Sequence, residues 1–494
     1  MKKQLALGCV LGALAATAAI EPATLVNDNM VLQRDRSVPI WGKATAGNEI
    51  EVSFAGQSKK AVVAADGTWR IDLEAMAADA EGKDLVITES EPGWFGSTVD
   101  EKTFSNVVVG EVWLCGGQSN MTFAMWPSPR VGKHAGREMN GYYDLALTHE
   151  PLVRGVHMPC CWSDVEKSHA ALAWKPFVPE SNLGDFSAHS ITPMRLRGSL
   201  GIPVGVIECA WGGSCIETWI PPFAYAASKS FKDLATKKIP TGVDKKGKPL
   251  DSHQCPRACW NAMVYPLVPY AIRGAIWYQG CTNRGRWKEY YEMLETLRAG
   301  WGEAFGCGPK MPLFICQIAP YGYTSEEKDN GATEIREEME RWGLDNAPLA
   351  GCVNLSDVGE IDCIHPGDKR TVGTRLAAMA LNRLYGFKDV KCDGPVFRKA
   401  TLSEDGKKVT LAFDNVTGWC HKGEYPERFE LAGADGNYVQ VKCSYKANVP
   451  TVELEVPAGL RPKKVAYLRK SCVHSFLKNE AGIPLGPFRG EVAE

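Results

Sequence analysis

A serine follows an apolar strand pattern and two glycines, in Gly116-Gly117-Gln118-Ser119-Asn120-Met121. A serine on a strand-to-helix turn is exposed, and its own backbone N–H can face a developing oxyanion. The flanks are not G-x-S-x-G, which separates this loop from the usual α/β-hydrolase elbow. Taken alone, a Gly-Gly-Gln-Ser loop is more often only a turn. Three further segments change that reading. Ala210-Trp211-Gly212-Gly213-Ser214 follows a second apolar run and offers backbone donors at Gly212 and Gly213. Trp277-Tyr278-Gln279-Gly280-Cys281-Thr282-Asn283 follows a third and adds the amides of Gln279 and Asn283. Asp357-Val358-Gly359-Glu360-Ile361-Asp362-Cys363-Ile364-His365-Pro366 contains an Asp-x-x-His pair in Asp362 and His365. A nucleophile, oxyanion donors and a base with an acid to orient it are the parts of a serine hydrolase.

The elements that must position these residues are legible as patterns. Val107-Val108-Val109 and Val112-Trp113-Leu114, then Val204 to Ile207, Ala275 to Trp277, Leu313 to Ile315 and Cys352 to Leu355 are short apolar runs. Helical spacing separates them, at Trp287, Tyr291, Leu294, Leu297 and Trp301 and again at Val372, Leu376, Met379 and Leu384. Strands buried on both faces and alternating with amphipathic helices predict a parallel α/β sheet. Sites in such sheets form beyond the carboxyl ends of the strands, where all four segments fall. Before this region, Ile50, Val52, Phe54 and Trp69, Ile71, Leu73 alternate with polar residues, with turns at Gly56 and Asp66-Gly67, predicting a small antiparallel sandwich or sheet. Alternation returns after about residue 391 in Val409, Leu411, Phe413 and Val452, Leu454, Val456. The expected organisation is therefore 20–105 as an N-terminal β domain, 106–390 as the α/β domain and 391–494 as a C-terminal β module.

Composition bounds the function. Lys+Arg 56 against Asp+Glu 58 leaves no basic excess for a phosphate backbone, which argues against nucleic acid. Lys2 and Lys3, the uncharged run Leu5 to Ala19 and Ala16-Thr17-Ala18 form the pattern of a signal peptide over residues 1–19, so a secreted or periplasmic protein is expected. No later run is long and apolar enough to span a bilayer. Cys9 lies in that leader, leaving 16 of the 17 cysteines in an oxidising compartment, where disulfides are expected. No paired CxxC or HxxxH spacing suggests zinc.

With these four motifs in order, the chain resembles the sialate O-acetylesterase family of SGNH hydrolases. Met30-Val31-Leu32-Gln33-Arg34, Gly110-Glu111-Val112-Trp113-Leu114, Phe186-Ser187-Ala188 and Pro487-Phe488-Arg489 extend the similarity over nearly the whole mature chain. The resemblance implies a three-layer α/β/α, flavodoxin-like SGNH core with β modules on either side, no metal or other cofactor, and an O-acetylated carbohydrate as substrate. It implies Ser119 as nucleophile, His365 as base and Asp362 as the orienting acid, with Asp357 as fallback or a Ser–His dyad helped by a backbone carbonyl. The oxyanion would be held by the Ser119 N–H, the N–H of Gly213 or Gly212, and the Asn283 side chain. Gln118 belongs to the same substrate-binding rim, and Gln279 would line the pocket. The competing readings are a non-catalytic carbohydrate-binding protein on a hydrolase fold, or a hydrolase of other esters.

The chain departs from the family at Cys281, where Glu is usual, and at Cys363, where Asp is usual. Each lies two residues before a site candidate, Asn283 and His365 respectively. The paired departure leads to the expectation of a Cys281–Cys363 disulfide tying the two loops together, against free thiols that merely pack or a Cys281–Cys215 bridge. Pro193 also breaks the pattern of the helix expected after Phe186-Ser187-Ala188, with a kink as the anticipated effect.

Overall fold

The computed structural model describes residues 19–93, 96–122, 149–178, 191–323, 331–420 and 428–493. Phe186-Ser187-Ala188 and residues 1–18 of the expected leader lie outside the described residues. The chain begins with β1 (Glu21–Pro22), β2 (Val31–Gln33), β3 (Val38–Lys43), β4 (Glu49–Phe54), β5 (Gln57–Val62), β6 (Thr68–Leu73) and β7 (Asp79–Ser90). Period-two alternation places Ile50, Val52 and Phe54 inward on β4, and Trp69, Ile71 and Leu73 inward on β6. These strands form a β1-β3-β6 sheet and a β5-β4-β7 arm that pairs onto the next strand.

That strand, β8 (Thr98–Gly117), runs on without interruption through the boundary expected near residue 105. Its first part pairs antiparallel with β7, and Val108 to Gly110 pair in parallel with β2. Its second part is the middle of a parallel sheet. β9 (Glu150–His157), β11 (Val204–Ala210), β12 (Gly274–Tyr278), β13 (Leu313–Cys316) and β14 (Ala350–Val353) complete the order β9-β11-β8-β12-β13-β14, with β10 (Lys175–Phe177) antiparallel at the β9 edge. The chain lays β9 and β11 to one side of β8 and then β12, β13 and β14 to the other. Strand order therefore reverses at β8, which puts a crevice beyond its carboxyl end.

Side chains of β8 alternate between two cores. Val112 and Leu114 pack with Leu294, Leu297 and Trp301 of α3 (Trp287–Ala304) and Ile335, Met339 and Trp342 of α4 (Ala332–Asp345). Trp113 and Cys115 pack instead with Leu196 of α2 (Ile191–Leu200) and with Val372, Leu376 and Met379 of α5 (Lys369–Leu384). A four-residue helix, α1 (Ser119–Thr122), follows β8. Pro193 sits in the first turn of α2, where a missing N–H forfeits no helical hydrogen bond, so proline is accommodated there. Of the C-terminal strands, from Val396–Leu402 to Phe488–Ala493, eight form one sheet over a core that includes Val409, Leu411, Val452 and Leu454, while Trp419–Cys420 and Lys478–Asn479 pair separately.

The described cysteines correct the disulfide expectation. All sixteen are free thiols, and the Cys281–Cys363 bridge is not formed. Cys281 Sγ accepts a hydrogen bond from the Tyr323 hydroxyl at 3.0 Å, while Cys363 Sγ donates to the His365 carbonyl at 3.2 Å. Each sulfur already has a partner of its own. Several others, such as Cys115, Cys209 and Cys316, are wholly buried on core strands, where cysteine acts as a small apolar residue.

One buried charge joins these parts. Glu111, where β8 enters its pairing with β11, has no exposed side-chain surface. Arg273, just before β12, donates Nε and Nη2 to its two oxygens at 2.6 and 2.8 Å. Arg34 Nε, Gln33 Nε2 and the Tyr385 hydroxyl add donors at 2.5, 3.3 and 3.0 Å. Burial pushes the carboxyl up, but Arg273 and Arg34 outweigh it and hold the carboxyl below its usual value of 4.5. Glu111→Gln should therefore destabilise the protein by about 3–5 kcal/mol at neutral pH, measured by urea unfolding, because two arginines lose their buried counter-charge. The folded-state value is depressed, so wild type loses this contribution as pH falls from about 4.5 through it, and the variant should show a flatter acid limb.

Candidate active site

Three strands end together at the crevice. Ala210 of β11 and Tyr278 of β12 both stand opposite Gly117, the last residue of β8. Gly117 has φ +143°, and a Cβ there would lie 2.2 Å from the Tyr278 carbonyl oxygen, so only glycine allows the strands to converge this closely. The backbone then turns. Gln118 N donates to Tyr278 O at 3.0 Å, and Trp211 N donates to Gly117 O at 3.0 Å. Ser119 follows at the start of α1, half-buried, and Gly212 backs onto it: a Cβ on Gly212 would lie 3.5 Å from that of Ser119.

The loop ends are stitched to one another. The buried Gln118 side chain accepts Gly280 N at 3.2 Å and so braces the rim. Thr282 Oγ1 donates to Gly213 O at 3.2 Å. No described residue accepts from the backbone N–H of Gly212 or Gly213. The Asn283 amide is buried, its oxygen accepting Ile216 N at 3.1 Å and Gln279 Nε2 at 2.7 Å. Its nitrogen donates one proton to Glu217 Oε2 at 3.0 Å, and the second has no partner among the described residues. Gln279 gives its amide protons to Asn283 and to Ser214 O, and its oxygen accepts the Tyr290 hydroxyl at 2.8 Å. It thus supports Asn283 from below instead of lining the pocket. Glu217 is itself buried and paired with Arg286 Nη1 at 2.5 Å.

The fourth loop is joined through Asn120, the residue after Ser119. Asn120 Nδ2 donates to the carbonyl of Ile364, the residue before His365, at 3.0 Å. Its oxygen accepts Lys369 Nζ at 2.5 Å. His365 is half-buried, Asp362 is exposed, and the Asp357 fallback is committed elsewhere. Arg375 holds both Asp357 oxygens at 2.7 and 2.8 Å, and Lys478 of the C-terminal region adds a contact at 2.6 Å. Burial pushes the Asp357 carboxyl up, yet these two cations outweigh it and keep the carboxyl below the usual range. Asp357 is thus an anchor between α5 and the C-terminal region.

The far wall is aromatic. His253 stacks on Trp211 with ring centroids 4.6 Å apart, and Asp251 Oδ1 lies 2.6 Å from His253 Nδ1. His253 Nε2 has no hydrogen-bond partner among the described residues and lies 4.0 Å from where a Gly213 Cβ would stand. Sequence reasoning missed His253, Glu217, Asn120 and Lys369. Asn120 lay inside the serine motif, and Lys369 four residues beyond His365; Glu217 and His253 carried no local signal. Asn283→Ala should lower stability by about 1–3 kcal/mol in urea unfolding, because it leaves Ile216 N–H and one Gln279 amide proton buried without an acceptor.

A model of a carbohydrate esterase family, described as sialic acid-specific acetylesterase, matches residues 109–382, more than half of the chain. The sialate O-acetylesterase of Rattus norvegicus is 27% identical over 440 residues, covering 79% of this chain and 78% of the rat protein. That of Homo sapiens is 28% identical over 412 residues, covering 77% of this chain and 74% of the human protein. The crystal structure of a carbohydrate acetylesterase from Xanthomonas citri superposes with a TM-score of 0.79 at 28% identity, covering 96% of this chain and 99% of that one. With the serine loop, the donor loops and the histidine loop all inside or beside the matched span, the chain belongs to this family of sialic acid-specific carbohydrate esterases and is a carboxylic ester hydrolase.

Proposed function

We propose that the protein is a secreted serine esterase that removes O-acetyl groups from carbohydrates through an acetyl-enzyme, on a three-layer SGNH core (106–390) flanked by β modules (20–105 and 391–494). In this reading Ser119 Oγ attacks the acetyl carbonyl carbon while His365 takes its proton. The tetrahedral oxyanion is held by the N–H groups of Ser119 and Gly213 or Gly212 and by the second Asn283 amide proton. Collapse breaks the ester bond, and His365 returns the proton to the departing sugar oxygen. Water, deprotonated by His365, then attacks the acetyl-enzyme; the acyl bond to Ser119 Oγ breaks, His365 returns the proton to that oxygen, and acetate leaves. Asp362 orients the imidazole.

The observation that carries the reading is the convergence at Gly117, which gathers the serine and two donor loops at the strand-order reversal. The Asn120–Ile364 bond supports it by joining the histidine loop to the same turn. The stacked Trp211–His253 wall supports a sugar as leaving group, since an aromatic ring beside a polar nitrogen suits a face with both C–H and O–H groups. Ser119→Ala and His365→Ala should each cut acetate release by about 10³-fold or more while circular dichroism stays unchanged, and Asp362→Asn should cost less. Near-wild-type turnover in either of the first two would sink the assignment. Acetate release across O-acetylated sialosides and plant or algal glycans, with Ser119→Ala as the blank, identifies the sugar.

A further inference from the structure

Lys369 is a buried ammonium in an unfavourable place. It opens α5, where the helix dipole is positive, and only 3% of its surface is exposed. Desolvation and the dipole both oppose a cation there. Its Nζ donates to Asn120 Oδ1 at 2.5 Å and lies 5.6 Å from the centre of the Tyr278 ring. Asn120 is almost as buried, and its other end holds Ile364 O. One amide thus bridges the residue after the nucleophile and the residue before the base, and the lysine fixes that amide from beneath. Resting on the Ser119–His365 reading, we propose that Lys369 is a positioning residue, which through Asn120 sets the alignment of the serine and histidine loops.

The alternative is a lysine that merely fills space, and its surroundings argue against that. Among the described residues, the groups facing it include the thiols of Cys316 at the end of β13, Cys363 in the histidine loop and Cys281 beyond β12, the Glu360 carboxylate, and the Tyr278 ring. Burial raises all three thiols, so they are neutral at physiological pH. Burial pushes the ammonium down to about 8. The charge on the clamp is therefore lost just above neutrality.

The test uses the full chain with p-nitrophenyl acetate and an O-acetylated glycan. Lys369→Met and Asn120→Ala should each lower kcat by about 10–100-fold with KM within about twofold. The double variant should be no worse than the poorer single one, because both remove the same clamp. Multiplying effects, or a folded Lys369→Met with wild-type kcat, would overturn the proposal. Should Lys369→Met fail to fold, the pH profile decides: wild-type kcat should decline as pH rises through about 8, and Asn120→Ala should lack that limb. The same limb in both proteins would overturn it. Ser119→Ala separates the two layers of the argument. If it is inactive while Lys369→Met is unimpaired, only the clamp fails; if it is active, the Ser119–His365 reading fails first.

Discussion

Glu111 is a carboxylate taken wholly out of water on the strand that delivers the nucleophile, where that strand enters the parallel sheet. Desolvating such an ion costs several kcal/mol, and it persists because four donor groups from separate parts of the chain close around it. Gln33 and Arg34 come from the N-terminal strands, Arg273 from the entry to β12 and Tyr385 from the end of α5. Gln33 Oε1 also accepts Val112 N, locking the neighbouring residue. A one-residue slip of β8 would carry Glu111 to the opposite face of the sheet and leave the arginines without it. The register held here is the register that sets Ala210 and Tyr278 beside Gly117, so an ion pair at one end of the sheet governs the geometry at the other.

The sequence pattern carried the strands and the rim, because both depend on local rules. Alternation in Ile50-Glu51-Val52-Ser53-Phe54 follows from a sheet with one buried face, and the uniform burial of Val204 to Ala210 from a parallel strand covered on both. Motifs after such strands must lie on one edge. What local rules do not contain is the partner of each polar group. Spacing to His365 favours Asp362 over the fallback Asp357 on paper, but only the fold brings Arg375 and Lys478 to Asp357. The Cys281–Cys363 bridge failed for the same reason. Two cysteines on one rim say nothing about where each sulfur points, and Tyr323 and the His365 carbonyl claimed them separately.

Beneath the rim the protein buries Gln118, Asn120, Glu217, Gln279, Asn283 and Lys369, where apolar side chains would be less costly to bury. Their bonds show what the polar groups do that apolar ones cannot. Gln118 holds Gly280, Asn283 holds Ile216, and Asn120 holds Ile364, so in each case a side-chain amide grips the backbone of a neighbouring loop. Apolar packing is non-directional and would leave each loop free to slide by an ångström. A hydrogen bond weakens steeply when its angle or length changes, so several such bonds restrict the loops to a narrow set of positions. Misplacing a reacting group by about 1 Å can cost about 10²-fold in rate. The stability given up in burying amides, a carboxylate and an ammonium is therefore matched to the task of keeping four loops, each on a different strand, in one alignment.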